Sequence, residues 1–160
     1  MKKTAVYPGF FDPFTLGHQD IVIRATQVFD EVTVAIAKDS PKVSWFTFAE
    51  RFETAQEIFR GKKNVKVDSF DGLLIDYMKK NGQNTLLRGL RTVSDFEYEF
   101  QMALANKTLD SEVETLFMMT DSKFSYLSST LIREIARLGG DVSQMVPSVV
   151  AECIKKKKSK

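Results

Sequence analysis

A chain of 160 residues with 43% apolar and 28% charged positions, 4 Pro and 8 Gly is composed like a globular protein, which excludes a disordered tail protein and a collagen-like repeat. No run approaches the roughly 18 apolar residues that span a bilayer, Met1-Lys2-Lys3-Thr4 leads into no apolar signal segment, and the single Cys153 builds neither an intramolecular disulfide nor a cysteine metal cluster, so a cytoplasmic protein with no membrane partner is expected. The formal charge is +2, but Lys155, Lys156, Lys157, Lys158 and Lys160 supply five positive charges and leave the body at about −3. That basicity is a terminal tag, either a solubilising helix end or a weak contact for an anionic partner, and no nucleic-acid partner is expected.

No repeat, linker or composition break divides the chain, so residues 1–160 are expected to form one domain with a helical C-terminal end and a basic tail over 155–160. Ala5-Val6-Tyr7 reads as a short strand stopped by Pro8-Gly9. A helix beginning near Gly17 carries Ile21, Ala25, Val28 and Phe29 on one stripe. Val32 to Ala37 is a β-branched run of the kind covered on both faces. Thr47-Phe48-Ala49-Glu50 has the capping-box pattern and opens a helix through Phe52, Ala55, Ile58 and Phe59. Val65 and Val67 mark a third strand, and Leu73 to Met78 a short helix ending near Asn81-Gly82.

Thr85-Leu86-Leu87 is a fourth strand that delivers Arg88-Gly89-Leu90-Arg91 at its end. Ser94 opens a helix with Phe96, Phe100, Ala103 and Leu104 as its buried stripe, and Glu114 to Met119 supplies a fifth strand. Ser128-Ser129-Thr130 precedes a helix through Leu131, Ile132, Ile135 and Leu138, closed by Gly139-Gly140, and a last helix follows Pro147. Five strands separated by helices predict an α/β, Rossmann-like doubly wound parallel sheet with helices on both faces. Ligands of such sheets bind at the C-terminal strand ends, where the strand order reverses.

Three polar segments fall at such ends. Gly9 after the first strand lets a ligand approach the backbone, and Gly17-His18 opens a helix whose free N–H groups favour an anion. A cationic His18 there would oppose the helix dipole unless a phosphate compensates, so this sole histidine is either a phosphate contact or a packed residue. Arg88 and Arg91 offer two planar forks to a polyanion, or else form salt bridges to Asp95, Glu97 or Glu99. Ser128, Ser129 and Thr130 present three hydroxyls where one would cap a helix. No GxxxxGK[ST], GxGxxG or GxSxG motif is present, and one His with one Cys builds no zinc site. What remains is phosphate chemistry by positioning and charge stabilisation.

Pro8-Gly9-Phe10-Phe11-Asp12-Pro13 followed by Thr15-Leu16-Gly17-His18 resembles the signature of the nucleotidylyltransferase superfamily. With Arg88-Gly89-Leu90-Arg91, Asp95-Phe96-Glu97-Tyr98-Glu99 and Ser128-Ser129-Thr130, the resemblance narrows to the bacterial phosphopantetheine adenylyltransferases and runs from Ala5 to about Val150. It implies reversible adenylyl transfer from ATP to 4′-phosphopantetheine, giving dephospho-coenzyme A and pyrophosphate. Mg²⁺ would be carried with ATP, with no dedicated protein ligand set. By the resemblance His18 stabilises the pentacovalent α-phosphate and is catalytic together with Arg91 and Lys42. The nucleotide would lie among Phe10, Phe11, His18, Gly89, Leu90, Arg91 and Glu99, with the segment Phe124, Ser125, Tyr126, Leu127, Ser128, Ser129 and Thr130 as its wall. The acceptor would meet Phe10, Lys42, Leu74 and Arg88. The resemblance further implies a homohexamer built as a dimer of trimers, interfaces that the 13 Phe could serve, and dephospho-coenzyme A or coenzyme A as product or feedback ligand.

Two positions depart from the family pattern. Phe10 stands where the family carries Ser or Thr, which removes a side-chain donor and leaves a backbone N–H, and Leu16 stands where it commonly carries Asn or another polar residue. The alternatives are another small nucleotidylyltransferase with a cytidylyl or nicotinate-mononucleotide acceptor, or a weakened or non-catalytic nucleotide or coenzyme A binding protein.

Overall fold

Short β-branched runs alternate with amphipathic segments, and the computed structural model, which describes residues 2–38 and 43–158, arranges them as one parallel sheet between two helical layers. The elements in chain order are β1 (Thr4–Gly9), α1 (Leu16–Ala25), β2 (Glu31–Ala37), α2 (Phe48–Ile58), β3 (Val65–Phe70), α3 (Leu74–Lys80), β4 (Thr85–Leu90), α4 (Val93–Leu109), β5 (Glu114–Met119), a 3-10 turn (Ser122–Phe124), α5 (Ser129–Arg137) and α6 (Ser148–Lys158). The strand order is β3-β2-β1-β4-β5, all parallel, which is the expected Rossmann-like doubly wound fold. The order reverses between β1 and β4.

Strand periodicity sorts the core onto two faces. Tyr7, Phe11, Phe14, Ile21, Val34, Leu127 and Ile132 belong to a large cluster under α1, α2, α5 and α6. Val6, Ala35, Ile75, Met78 and Leu86 form a smaller cluster under α3. Helix starts follow cap chemistry: Thr15, Thr47, Thr92 and Ser128 each accept a backbone N–H from the first turn, and Thr47 with Glu50 forms the reciprocal box.

Several expectations need correction. β1 does not stop before Pro8 but runs to Gly9, with Pro8 opposite Ala35 and Gly9 opposite Ile36 of β2. On the other side only Val6 registers with Leu86 of β4. The Pro8 carbonyl accepts from Arg88 Nη1 on that side (2.9 Å). The nitrogen of an extended residue points the same way as its carbonyl, so the missing N–H of Pro8 falls where the ladder has ended. β4 likewise continues past Leu87 to Leu90. Val28 and Leu138 lie beyond the ends of α1 and α5 and are exposed, so neither belongs to its stripe. On α4, Phe96, Phe100 and Leu104 are exposed and Asn106 is the buried residue, because the helix turns the face of Asp95, Glu99, Ala103 and Asn106 inward and leaves much of the aromatic stripe uncovered.

Asp12 ties the loop after β1 to the entry of α2. It is 4% exposed, and its two carboxylate oxygens accept the Trp45 and Phe46 N–H groups, each at 2.8 Å. Hydrogen bonds to a carboxylate are worth about 1.5 to 3 kcal/mol each, and deleting the acceptor strands two partly or wholly buried donors. Asp12→Ala is therefore expected to lower unfolding free energy in urea by about 2 to 4 kcal/mol. A loss below about 1 kcal/mol would show that water replaces the carboxylate.

Candidate active site

Beyond the Val6–Leu86 pair β1 and β4 part, and the gap opens into a cleft of about 530 Å³. Its walls come from the end of β1 (Tyr7 to Asp12), the start of α1 (Thr15, Gly17, His18), β4 and its exit (Arg88, Gly89, Arg91), α4 (Asp95, Glu99), Thr120 and the start of α5 (Leu127 to Thr130, Arg133). The floor is aromatic. Phe11 adopts a left-handed backbone (φ 53°), unusual for a side chain of its bulk, and lays its ring across Gly9. A Cβ on Gly9 would come within 2.6 to 2.9 Å of that ring, so this glycine is required by close approach.

His18 is held from both ends. Its Nδ1 accepts the Thr15 N–H (3.0 Å) while its own N–H donates to Thr15 Oγ1 (3.3 Å), which makes the imidazole the third-position partner of a capping box. Phe11 and Phe14 meet the ring edge-on at 5.1 and 5.3 Å. Burial, then the charges of Arg91 and Arg88, push its pKa down to about 3. The expected conflict between a cationic His18 and the helix dipole therefore does not arise. With Nδ1 accepting, the proton of the neutral ring sits on Nε2, a donor not used by the cap.

Of the two readings of the arginines, the structure shows the salt bridges, to Glu99 and to Asp95. Arg88 donates from Nε and Nη2 to the two oxygens of Glu99 (2.7 and 2.5 Å), and Arg91 from Nε and Nη2 to those of Asp95 (2.9 and 3.0 Å). Arg88 Nη1 also reaches the Pro8 carbonyl and Arg91 Nη1 the Leu127 carbonyl (2.9 and 2.6 Å). A guanidinium has five N–H donors, so each keeps two for a ligand while its plane is fixed. Of the three hydroxyls before α5, Ser128 caps the helix by accepting the Leu131 N–H, Ser129 donates to the Pro13 carbonyl, and Thr130 accepts from Arg133. The first turns of α1 and α5 thus both open on the cleft, with Gly17, Ser129 and Thr130 among its lining residues.

A second cavity of about 260 Å³ lies on the other face of the sheet, lined by Phe70, Leu74, Leu86, Tyr98, Met102 and Asn106 among others. Arg88 and Glu99 line both cavities.

Known sequences resemble this chain over almost its whole length. The Cytidylyltransferase-like family profile matches residues 6–135. The phosphopantetheine adenylyltransferase of Syntrophus aciditrophicus is 55% identical over 150 residues, covering 94% of this chain and 91% of that one. That of Alkaliphilus metalliredigens is 48% identical over 155 residues, covering 97% and 99%. The chain belongs to the phosphopantetheine adenylyltransferase family. The fold is also that of a bifunctional NMN adenylyltransferase/ADP ribose pyrophosphatase from Francisella tularensis (TM-score 0.74, 16% identity), of which this chain spans about half, 51%, with all of its own length covered.

Within this adenylyltransferase fold the named residues distribute unevenly. Phe10, Phe11, His18, Gly89, Arg91, Glu99, Leu127, Ser128, Ser129 and Thr130 gather around the main cleft, Leu74 lines the second cavity, and Arg88 lies between them. Leu90, Phe124, Ser125 and Tyr126 are not among the residues lining the cleft: Leu90 is buried, Phe124 packs on the core, Ser125 turns back to the Ser122 carbonyl and Tyr126 is exposed. Lys42 lies outside the described residues. Thr120, Asn106 and Arg133 are not legible as site residues, because each reaches its cavity only through the pairing of distant elements, while Tyr7 and Asp12 lie beside or within the first polar segment, where the sequence does not show that their side chains face the cleft.

Phe10 has a partner of its own. The Arg51 guanidinium lies 3.8 Å from the centre of its ring and donates to its carbonyl (2.7 Å). Arg51 is 4% exposed and also donates to the Ala37 and Lys38 carbonyls, joining the end of β2 to the loop after β1. A Ser or Thr at position 10 would offer no ring to this cation.

Because His18 is the chain's only histidine, one imidazole signal reports it. In ¹⁵N NMR it is expected to remain the neutral Nε2–H form from pH 7 to pH 5, where an ordinary imidazole of pKa about 6.5 has become cationic. The folded pKa lies below the unfolded one, so the unfolded chain takes up this proton first and stability falls as pH drops from about 6.5 towards about 3. A midpoint near 6.5 in the folded protein would show that the cap and burial do not hold the ring.

Proposed function

We propose that this chain catalyses reversible transfer of the adenylyl group of ATP to 4′-phosphopantetheine, giving dephospho-coenzyme A and pyrophosphate, within coenzyme A synthesis in the cytoplasm. Chain-long identity to phosphopantetheine adenylyltransferases carries the choice of substrates. The residue roles follow from chemistry. An oxygen of the acceptor phosphate forms the new bond to the α-phosphorus, and the bond from that phosphorus to the oxygen bridging to the β-phosphorus breaks as pyrophosphate leaves. The acceptor is already an anionic nucleophile, so no protein nucleophile or general base is needed, and alignment with charge stabilisation does the work.

In this reading His18 donates from Nε2 to the charge that grows on the α-phosphate. Arg91 and the α5 entry at Ser128, Ser129 and Thr130 take the β- and γ-phosphates, while Gly89, Leu90, Glu99 and the segment 124–127 surround the rest of the nucleotide. Arg88, with Lys42, takes the acceptor phosphate, Phe10 sits between the two substrates, and Leu74 lines the cavity for the pantetheine arm. Mg²⁺ enters as part of the ATP substrate. The carboxylates fit this role rather than a resident metal: Glu99 and Asp95 are committed to Arg88 and Arg91, Asp12 to two backbone N–H groups, and among the described residues no group of three or more His, Cys, Asp or Glu could hold a metal ion.

The test is product formation from MgATP with 4′-phosphopantetheine, set against nicotinate mononucleotide and against CTP as the nucleotide. Activity is expected with the first pair alone, and Arg88→Ala is expected to raise KM for phosphopantetheine by about tenfold or more with a smaller change for ATP. Transfer to nicotinate mononucleotide, or an Arg88 defect confined to ATP, would overturn the assignment.

We also propose a homohexamer. Phe96 and Phe100 stack on α4 at 5.7 Å, and Tyr98, Met102, Leu104 and Leu109 of the same helix are exposed with Leu116 and Met119 of the edge strand β5. An edge strand and an apolar helix face of this kind are covered by assembly in stable proteins. Sedimentation equilibrium is expected to give a particle of six times the 18.2 kDa chain mass, and a monomer at micromolar concentration would exclude the hexamer.

A further inference from the structure

Tyr7 is the one tyrosine of the four that β1 carries, and it is 5% exposed. Its ring packs against Phe11 at 5.7 Å between centroids. Its hydroxyl lines the cleft, where a Cβ built on Gly89 would stand 3.6 Å from it. Among the described residues no hydrogen bond to the Tyr7 hydroxyl is formed, while Tyr77, the other enclosed tyrosine, donates to Asp68 (3.0 Å). A phenol placed almost wholly inside a protein ordinarily finds a partner. Here the free hydroxyl opens on the space bounded by Arg88, Gly89 and Arg91.

The two faces of the sheet decide which substrate it meets. Tyr7 belongs to the cluster that includes Ile21 of α1 and Leu127, the face that also carries His18. Its neighbour Val6 points the opposite way, into the cluster against which Leu74 packs, beside the second cavity. We infer that the Tyr7 hydroxyl donates a hydrogen bond to an oxygen of the bound nucleotide, a contact separate from those that hold the acceptor. The inference rests on the adenylyl-transfer reading for the identity of the nucleotide, but not for the presence of a nucleotide-facing donor. Burial holds the phenol protonated well above its ordinary range, so it serves as a donor throughout the pH range of the folded protein.

Tyr7→Phe removes the hydroxyl and nothing else, and since that hydroxyl has no protein partner the ligand-free variant is expected to keep the melting temperature of the parent. In the transfer assay KM for ATP is expected to rise about tenfold, with KM for phosphopantetheine within about twofold of the parent. ATP binding by calorimetry, without acceptor, is expected to weaken by a similar factor. Unchanged ATP affinity and kinetic constants would overturn the inference and leave Tyr7 as packing, and a defect seen only in phosphopantetheine binding would place the hydroxyl on the wrong substrate. If the parent protein binds ATP but transfers nothing to phosphopantetheine, the proposed reaction fails while the calorimetric comparison still judges Tyr7.

Discussion

β1 and β4 register at one pair, Val6 with Leu86, and the chemistry of this protein depends on their parting beyond it. In a continuous sheet the backbone groups at the end of β1 would be consumed by the next strand. Here the Pro8 carbonyl takes an arginine N–H, the Tyr7 hydroxyl faces open space, and the loop from Gly9 to Pro13 folds back under α1. That fold-back is anchored rather than free. Asp12 fastens it to the backbone at Trp45 and Phe46, Arg51 to the end of β2, and Arg133 of α5 to the Asp12 carbonyl (2.5 Å). Three elements distant in sequence, β2, α2 with its entry and α5, thus meet at the residues that follow β1, and the strained φ of Phe11 persists because those anchors over-determine it.

Three arginines (Arg88, Arg91, Arg133) and three carboxylates (Asp12, Asp95, Glu99) line the cleft, so its charges are balanced before any ligand arrives. Arg88 and Arg91 each face a carboxylate through two parallel hydrogen bonds, and His18 is neutral. Unpaired guanidiniums so close to a half-buried imidazole would repel one another and drift on long side chains. Paired ones are fixed in plane and keep two N–H groups apiece, so in the proposed reaction a phosphate would meet donors that need no reorganisation. The pairing also lowers the net attraction for simple anions. In the proposed reaction, selection would then fall to a ligand large enough to use both arginines and the α1 and α5 entries together.

How much of this could be read from the chain follows from how local each signal is. The Thr47–Glu50 capping box, the strand count and the Gly17-His18 helix entry are encoded within four to ten neighbours, and the reading of them holds, as does the doubly wound sheet they imply. Pro8 misleads because a rule about ladder hydrogen bonds depends on which neighbour the strand has, and β4 has already left. The apolar stripe of α4 is visible as a stripe, but periodicity reports that a face is apolar and not what lies against it. The charge of His18 misleads in the same way. Its neutrality comes from Phe11, Phe14, Arg91 and Arg88, of which only the first two are near it in sequence.

α4 joins these threads. It emerges from the cleft at Arg91, and its first turns carry Asp95 and Glu99, the carboxylates that orient both arginines. The adjoining face carries the exposed Phe96 and Phe100, with Phe96 also edge-on to Phe117 of β5 at 5.8 Å. Residues at positions 95, 96, 99 and 100 lie one turn apart, so any surface that covers the two phenylalanines holds the same two turns that present the carboxylates. The helix has one buried residue, Asn106, and it is far along from that end. The geometry of the arginine forks is thus referred, through Asp95 and Glu99, to a helix whose first turns are anchored mainly by those same ion pairs. In the free chain the site and α4 position each other; in an assembly that buries Phe96 and Phe100, packing would fix α4 first and the arginines would follow.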